Sequence, residues 1–258
     1  VIAELYLTRY TGRPEYRTLD AALRTRWPKD VVLRPVAWGK RSNRDPRFHN
    51  LRITRPTLPC ALREYIIPAF LNSGCDVLGL MDDDAIYHCP NQWWKTIKRV
   101  LTTEPHVGVV GPMSPYCQHF NYEMKDVSVG PLEVFPLDRA PYAPCGSTWI
   151  NGIALRQIDW AEILGHLEYW WDFILNMELL RKGFNNYHVG VDEVFSHISA
   201  KGKTPDADWQ TAKQAIVALR KQIKFTDRWF AGTEYAAKAR RLMENLINNR
   251  LQRRADNE

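Results

Sequence analysis

The chain has 258 residues, 45% of them hydrophobic and 25% charged, which suits one sizeable buried core and excludes a disordered or disulfide-stapled class. No apolar run approaches the roughly 18 residues that a membrane-spanning helix requires. Lys and Arg number 35 against 29 Asp and Glu, a formal charge of +6 that favours an anionic ligand or partner and says nothing of fold.

The opening VIAELYLTRY contains Glu4 and has neither a basic lead nor a long apolar core, so it does not read as a secretory signal. Residues 2–8 mix apolar and β-forming types and predict a first strand. A loop follows at Gly12 and Pro14, then Tyr16–Trp27 carries Leu19, Ala22, Leu23 and Trp27 at helical spacing. Residues 31–38 predict a second strand, and the basic, proline-punctuated stretch 39–59 a long loop. Cys60–Ser73 is helical by periodicity, with Pro68 a source of a kink and Gly74 a stop. A short apolar strand at 76–81 runs into three aspartates. Residues 90–101 predict a helix and 106–112 a strand.

This alternation argues for a mostly parallel sheet covered by helices on both faces, whose chemistry belongs at the carboxyl ends of the strands. Beyond residue 112 the spacing predicts a strand at 132–137, helices at 158–167 and 169–182, a strand at 186–191, and C-terminal helices at 206–229 and 233–254. The division expected is a catalytic domain over 1–200, split into halves 1–112 and 113–200, followed by a helical extension over 201–258. Five cysteines without a CxxC pair fit a reducing, cytoplasmic compartment. Basic residues cluster at 34–55 and 238–254, either as solvated faces or as phosphate contacts.

Asp82, Asp83 and Asp84 need an explanation, because adjacent carboxylates without counter-charge repel. A solvent-facing acidic turn is the plainer one. The sharper one is a divalent cation: Mg²⁺ and Mn²⁺ favour carboxylate oxygens and leave room for substrate phosphates. The order of strand and aspartates, then GSTWING (146–152), YWWDFILNMELLRKGF (169–184) and HVGVDEVFSH (188–197), resembles the glycosyltransferases of GT-A fold, above all the family-2-like group. The resemblance spans about residues 2–200.

It implies an Asp-x-Asp signature at Asp82 and Asp84, with Asp84 on the metal and Asp82 toward the ribose, the sugar or the metal, Asp83 lying between them in the donor site. It implies Asp172 as general base, although Trp171 stands where the group has a first acid, and His197 as a metal ligand. Thr8, Arg9 and Tyr10 would meet the nucleotide base, and Arg63 would approach the nucleotide. Gly146 and Gly152 would bring backbone close to the donor. Trp149 would stack on a sugar face, unless the segment is simply a tight turn into a buried strand. Of Trp170 and Trp171, one belongs to the core and the other to the acceptor pocket.

The activity so implied is Mn²⁺- or Mg²⁺-dependent transfer from a nucleotide sugar, a UDP-sugar above all, to an acceptor hydroxyl. Inversion is the expected outcome; in a retaining reaction Asp172 would orient the acceptor. The acceptor would be a glycan or a hydroxymethylated base in DNA, as with some phage-encoded transferases, which act in the host cytoplasm. Two alternatives compete. A nucleotidyltransferase would show a glycine- and lysine/arginine-rich loop after the first strand, and TRYTGRPEY is a poor version of one. A protein that binds nucleic acid or an anionic surface without catalysis would be indifferent to loss of Asp172.

Overall fold

The computed structural model describes residues 1–11, 19–39, 43–83, 85–112, 127–129, 132–136, 147–169, 171–189, 195–197 and 209–255. Strand β1 (Ala3–Tyr10) leads through helix α1 (Leu19–Arg24) to β2 (Val31–Trp38) and a two-residue β3 (His49–Asn50). The next helical segment starts at α2 (Leu58–Ala61), where the Thr57 side chain accepts from the Cys60 N–H, and finishes at α3 (Ile67–Ser73). Between them Leu62–Ile66 forms a π turn. Pro68 explains it: a proline ring crowds the carbonyl four residues back and offers no N–H, so one wider turn accommodates it without breaking the helix.

Then come β4 (Val77–Asp82), β5 (Ala85–Tyr87), α4 (Pro90–Thr103), β6 (Val107–Pro112), β7 (Val127–Val129), β8 (Leu132–Pro136) and β9 (Ser147–Asn151). Helices α5 (Gly152–Leu155), α6 (Trp160–His166) and α7 (Trp171–Arg181) precede β10 (Asn185–Val189) and β11 (Phe195–His197). Helices α8 (Trp209–Trp229) and α9 (Glu234–Ala255) follow.

The main sheet has the order β3-β2-β1-β4-β9-β6-β10-β8-β7, and β5 and β11 make a separate antiparallel pair. Strands β1, β2, β3, β4, β6 and β10 all point one way; β9 is inserted antiparallel between β4 and β6. The sheet is thus mostly parallel, as the alternation of elements predicts. The reversed β9 and the small β5/β11 sheet go beyond that prediction. Both depend on pairings between distant segments, which periodicity does not encode.

Side chains alternate between two cores. Leu5, Leu7, Val77 and Met81 join Trp93, Trp94, Ile97 and Val100 of α4 on one face. On the other, Tyr6, Val36, Leu78 and Leu80 meet α2, α3, α6 and α7, and the same cluster continues into Leu219, Phe225, Phe230, Leu242 and Met243 of α8 and α9. Helix α7 therefore lies between sheet and C-terminal helices, and its residues from Trp171 to Leu179 are all buried. Among the described residues no helix is long and apolar enough to cross a membrane.

Gly79 lets β4 pass under Trp149, its register partner on β9. A Cβ there would come within 2.8 Å of Leu5 Cδ1 and 3.0 Å of the Trp149 ring. Gly79→Ala is expected to destabilise the chain by about 1–3 kcal/mol, the usual cost of overpacking, which urea unfolding of the two proteins would measure.

Candidate active site

The parallel strands bring Tyr10, Trp38, Asp82, Pro112 and Val189 to one edge of the sheet, and Ser147 of the reversed β9 to the same edge beside Met81. Asp82 is the last residue of β4 and the register partner of Thr8. Thr8 Oγ1 donates to Asp82 Oδ1 at 3.2 Å. Strand alternation puts both on the face of Leu78 and Leu80, the one that α7 covers. Asp83 is buried. Asp84 and Gly146 lie outside the described residues.

One residue after Asp84 the chain enters β5, and here the small sheet matters. Ala85 pairs with His197, Ile86 with Ser196 and Tyr87 with Phe195. The backbone of His197 is thereby held opposite the residue that follows the aspartate run, across 112 positions of sequence. Among the described residues no three metal-ligating side chains converge.

Tyr87 fixes the other end of this turn. Its ring is wholly buried among Trp27, Trp93 and Trp149. Its hydroxyl receives the Trp149 indole N–H at 3.0 Å and is hydrogen-bonded to Ser147 Oγ at the start of β9. Burial, partly offset by the Trp149 hydrogen bond, keeps the phenol proton on well above the usual range. Trp149 itself is 1% exposed and packed on Trp27 and Trp94. It is a core residue with no face for a sugar, so that expectation is corrected: β9 is the buried strand of the two readings. Gly152 sits at the far end of β9, its N–H on the Asp76 carbonyl and its Cα too close to Asp76 and Phe70 for a side chain, a packing role at the opposite edge from Asp82.

Beside Thr8, the buried Arg9 has its guanidinium 6.0 Å from the centre of the Phe48 ring. Tyr10 packs on Trp38, ring centroids 4.7 Å apart. Trp38 does not stand out in the sequence, though it ends the second predicted strand and is Tyr10's register partner. Next to it Gly39 has φ 144°, and a side chain there would collide with Thr11.

Arg63 is engaged elsewhere. It pairs with Glu64 at 3.0 Å and lies against Gly165 of α6. Burial pushes the Glu64 carboxyl up, but hydrogen bonds from Thr54, Cys60 and Arg63 outweigh it and hold the group down at about 2. The described contacts tie Arg63 to this helix seam, and none joins it to the end of β1.

Asp172 is the second residue of α7 and is 3% exposed. Because α7 precedes β10 and packs on it through a tight turn, its N-terminus lies toward the carboxyl edge of the sheet, the edge of Asp82. Three buried amides fix this helix start. Asn176 Nδ2 donates to the Asp172 carbonyl (2.6 Å), and Asn186 Nδ2 on β10 donates to the Asn176 carbonyl (3.1 Å). Gln222 of α8 accepts from the N–H groups of Glu168 and Tyr169 and donates to the Tyr169 carbonyl. Trp171 is buried in the core; Trp170 lies outside the described residues. A cavity of about 670 Å³ lined by Glu4, Tyr6, Arg34, His49 and Tyr65 opens on the β2 side and shares no residue with the aspartate turn.

No family model matches the chain, and no curated protein does. Among solved structures it is similar to the mannosyltransferase PcManGT from Pyrobaculum calidifontis in complex with GDP-Man and Mn2+. That match has a TM-score of 0.54 at 11% identity and covers 98% of this chain and 75% of that one. It is also similar to a CMP:2-keto-3-deoxy-manno-octonic acid synthetase complexed with CTP, with a TM-score of 0.43, 13% identity, and 74% and 90% coverage. The fold is GT-A-like: a mostly parallel sheet flanked by helices, with further helices at the C-terminus.

Tyr87→Phe would leave the Trp149 N–H and the Ser147 hydroxyl without their fully buried partner. A loss of about 1–3 kcal/mol is expected, the cost of unsatisfied buried polar groups. Chemical denaturation of native and variant protein, followed by tryptophan fluorescence, measures it.

Proposed function

We propose that the chain is a metal-dependent glycosyltransferase that moves a sugar from a nucleotide-sugar donor, a UDP-sugar first among candidates, to an acceptor hydroxyl. The observation that supports this is the pairing of His197 with Ala85, which holds the backbone of His197 opposite the residue after the aspartate run, on a GT-A-like fold. The mannosyltransferase with similar architecture is in complex with GDP-Man and Mn2+, which supports the choice of donor class and metal.

In this reading Asp84 and His197 ligate the ion, and Asp82, oriented by Thr8, completes its shell or addresses the ribose. Mn²⁺ or Mg²⁺ bound there would neutralise charge on the departing diphosphate. Tyr10 and Trp38 present aromatic surface to the base at the ends of β1 and β2. Asp172 takes the proton from the acceptor hydroxyl as the acceptor oxygen bonds to the anomeric carbon and the bond to the nucleoside diphosphate breaks. That one-step displacement inverts configuration. Burial of Asp172 and the amide network beneath it hold the base in place. The acceptor is a glycan or a hydroxymethylated base in DNA.

The test is release of nucleoside diphosphate from a panel of nucleotide sugars with Mn²⁺, comparing native protein with Asp172→Asn. One donor should be turned over, and the variant should lose about 100-fold or more in kcat, the contribution of a positioned base, while still binding donor. Native-like rates in Asp172→Asn, or neither turnover nor metal-dependent donor binding by the native chain, would refute the reading.

A further inference from the structure

Among the described residues, five cations of the basic clusters that stand out in the sequence are held in ion pairs. Arg34 pairs with the buried Glu4, Arg47 with Asp45 and Asp20, and Arg55 with Glu168. Lys238 pairs with Glu234 and Arg240 with Asp227. A further set of exposed cations lies along one helix, α8. On α8 the exposed residues from position 213 onward are Lys213, Gln214, Val217, Arg220, Lys221, Lys224 and Arg228.

At 100° per residue, the five cations fall within an arc of about 100° and span about 22 Å of helix. None of them is in an ion pair among the described residues. The single acid on this helix, Asp227, is bound by Arg240 of α9. The opposite face is fixed in the core through Ile216, Leu219, Gln222 and Phe225, so the stripe rides on a rigid support.

We propose that this stripe on α8 docks the phosphate backbone of a nucleic-acid duplex. Charge complementarity and shape both favour that partner. The patch is a narrow line, and duplex DNA offers one negative charge per about 1.7 Å of its axis. A helix that lies in a bilayer interface needs a second face of Trp, Phe or Leu to insert. The apolar face of α8 is already covered by the protein core, and the only apolar residue in the stripe is Val217. The contacts would be with phosphates, so docking would be sequence-independent. The inference deepens the DNA alternative for the acceptor and rests on the transferase reading only in that respect.

The experiment is fluorescence anisotropy with a labelled 20-base-pair DNA duplex of arbitrary sequence, from about 50 to 200 mM salt, with no donor present. Five phosphate contacts predict a slope of log K against log salt of about −4.5. The double variant Lys221→Ala/Lys224→Ala should flatten it to about −2.7. Arg52→Ala, an exposed cation of the segment between β3 and α2, should leave it unchanged. The substituted side chains are exposed, so melting by circular dichroism should match the native protein. No binding at 50 mM salt, or a slope indifferent to the double variant, would overturn the proposal. So would adsorption to anionic phospholipid vesicles that the double variant abolishes while DNA binding is unaffected. Because no donor is used, failure to dock DNA and failure to turn over donor are separate results.

Discussion

The architecture turns on the exit of β4. That strand is paired on both sides, by β1 and β9, and its side chains enter a core on each face. It has no freedom to shift register without moving every one of those side chains to the wrong face. It ends at Asp82, tied to Thr8, and three residues later the chain has left for a different sheet. The aspartates therefore occupy a short bridge between two fixed points. A cluster of like charges would open such a turn if its ends were loose. The buried Tyr87 hydroxyl and the β5/β11 pairing keep them from being so.

A third fixed point is the start of α7. A helix buried on every side has no solvent to satisfy its polar side chains, so those side chains become its fastenings. Asn176 and Asn186 link it to β10. Glu178, fully buried, is met by Arg181 at 2.6 Å and by the Trp229 indole N–H at 3.0 Å. Gln222 fixes the residues just ahead of it. Helices α8 and α9 are thus part of what positions Asp172, although they lie more than thirty residues downstream of it in sequence. Sheet and C-terminal helices both pack against α7 in one continuous core.

Much of this is legible in the residues. Strand β2 lies where its β-forming run predicts, and α4, α7, α8 and α9 agree with their periodicity to within a few residues. The strand leading into the aspartates is legible because a short apolar run must be buried, and three charges directly after it mark where it leaves the core. Trp149 misleads for a physical reason: the neighbouring glycine and serine suggest a ligand-facing loop, whereas the space for its indole is made by Gly79 on another strand. The pairing of Arg63 is hidden in a different way, because the carboxylate that meets it is its own neighbour Glu64 on the helix. The cationic stripe on α8 is hidden in sequence because its members are spread over sixteen positions, and only burial of the intervening residues shows that they share a face. Contiguous clusters are more conspicuous, yet Arg34, Arg47, Arg55, Lys238 and Arg240 within them are held in ion pairs.

The central claim is that the aspartate turn and His197 form one metal site. It is tested most directly by titration calorimetry of Mn²⁺ in the presence of UDP, with native protein, Asp84→Ala and His197→Ala. The account predicts that each substitution weakens Mn²⁺ binding by about tenfold or more, since even outer-shell partners of a metal cost that much. Native-like Mn²⁺ affinity in both variants would contradict it.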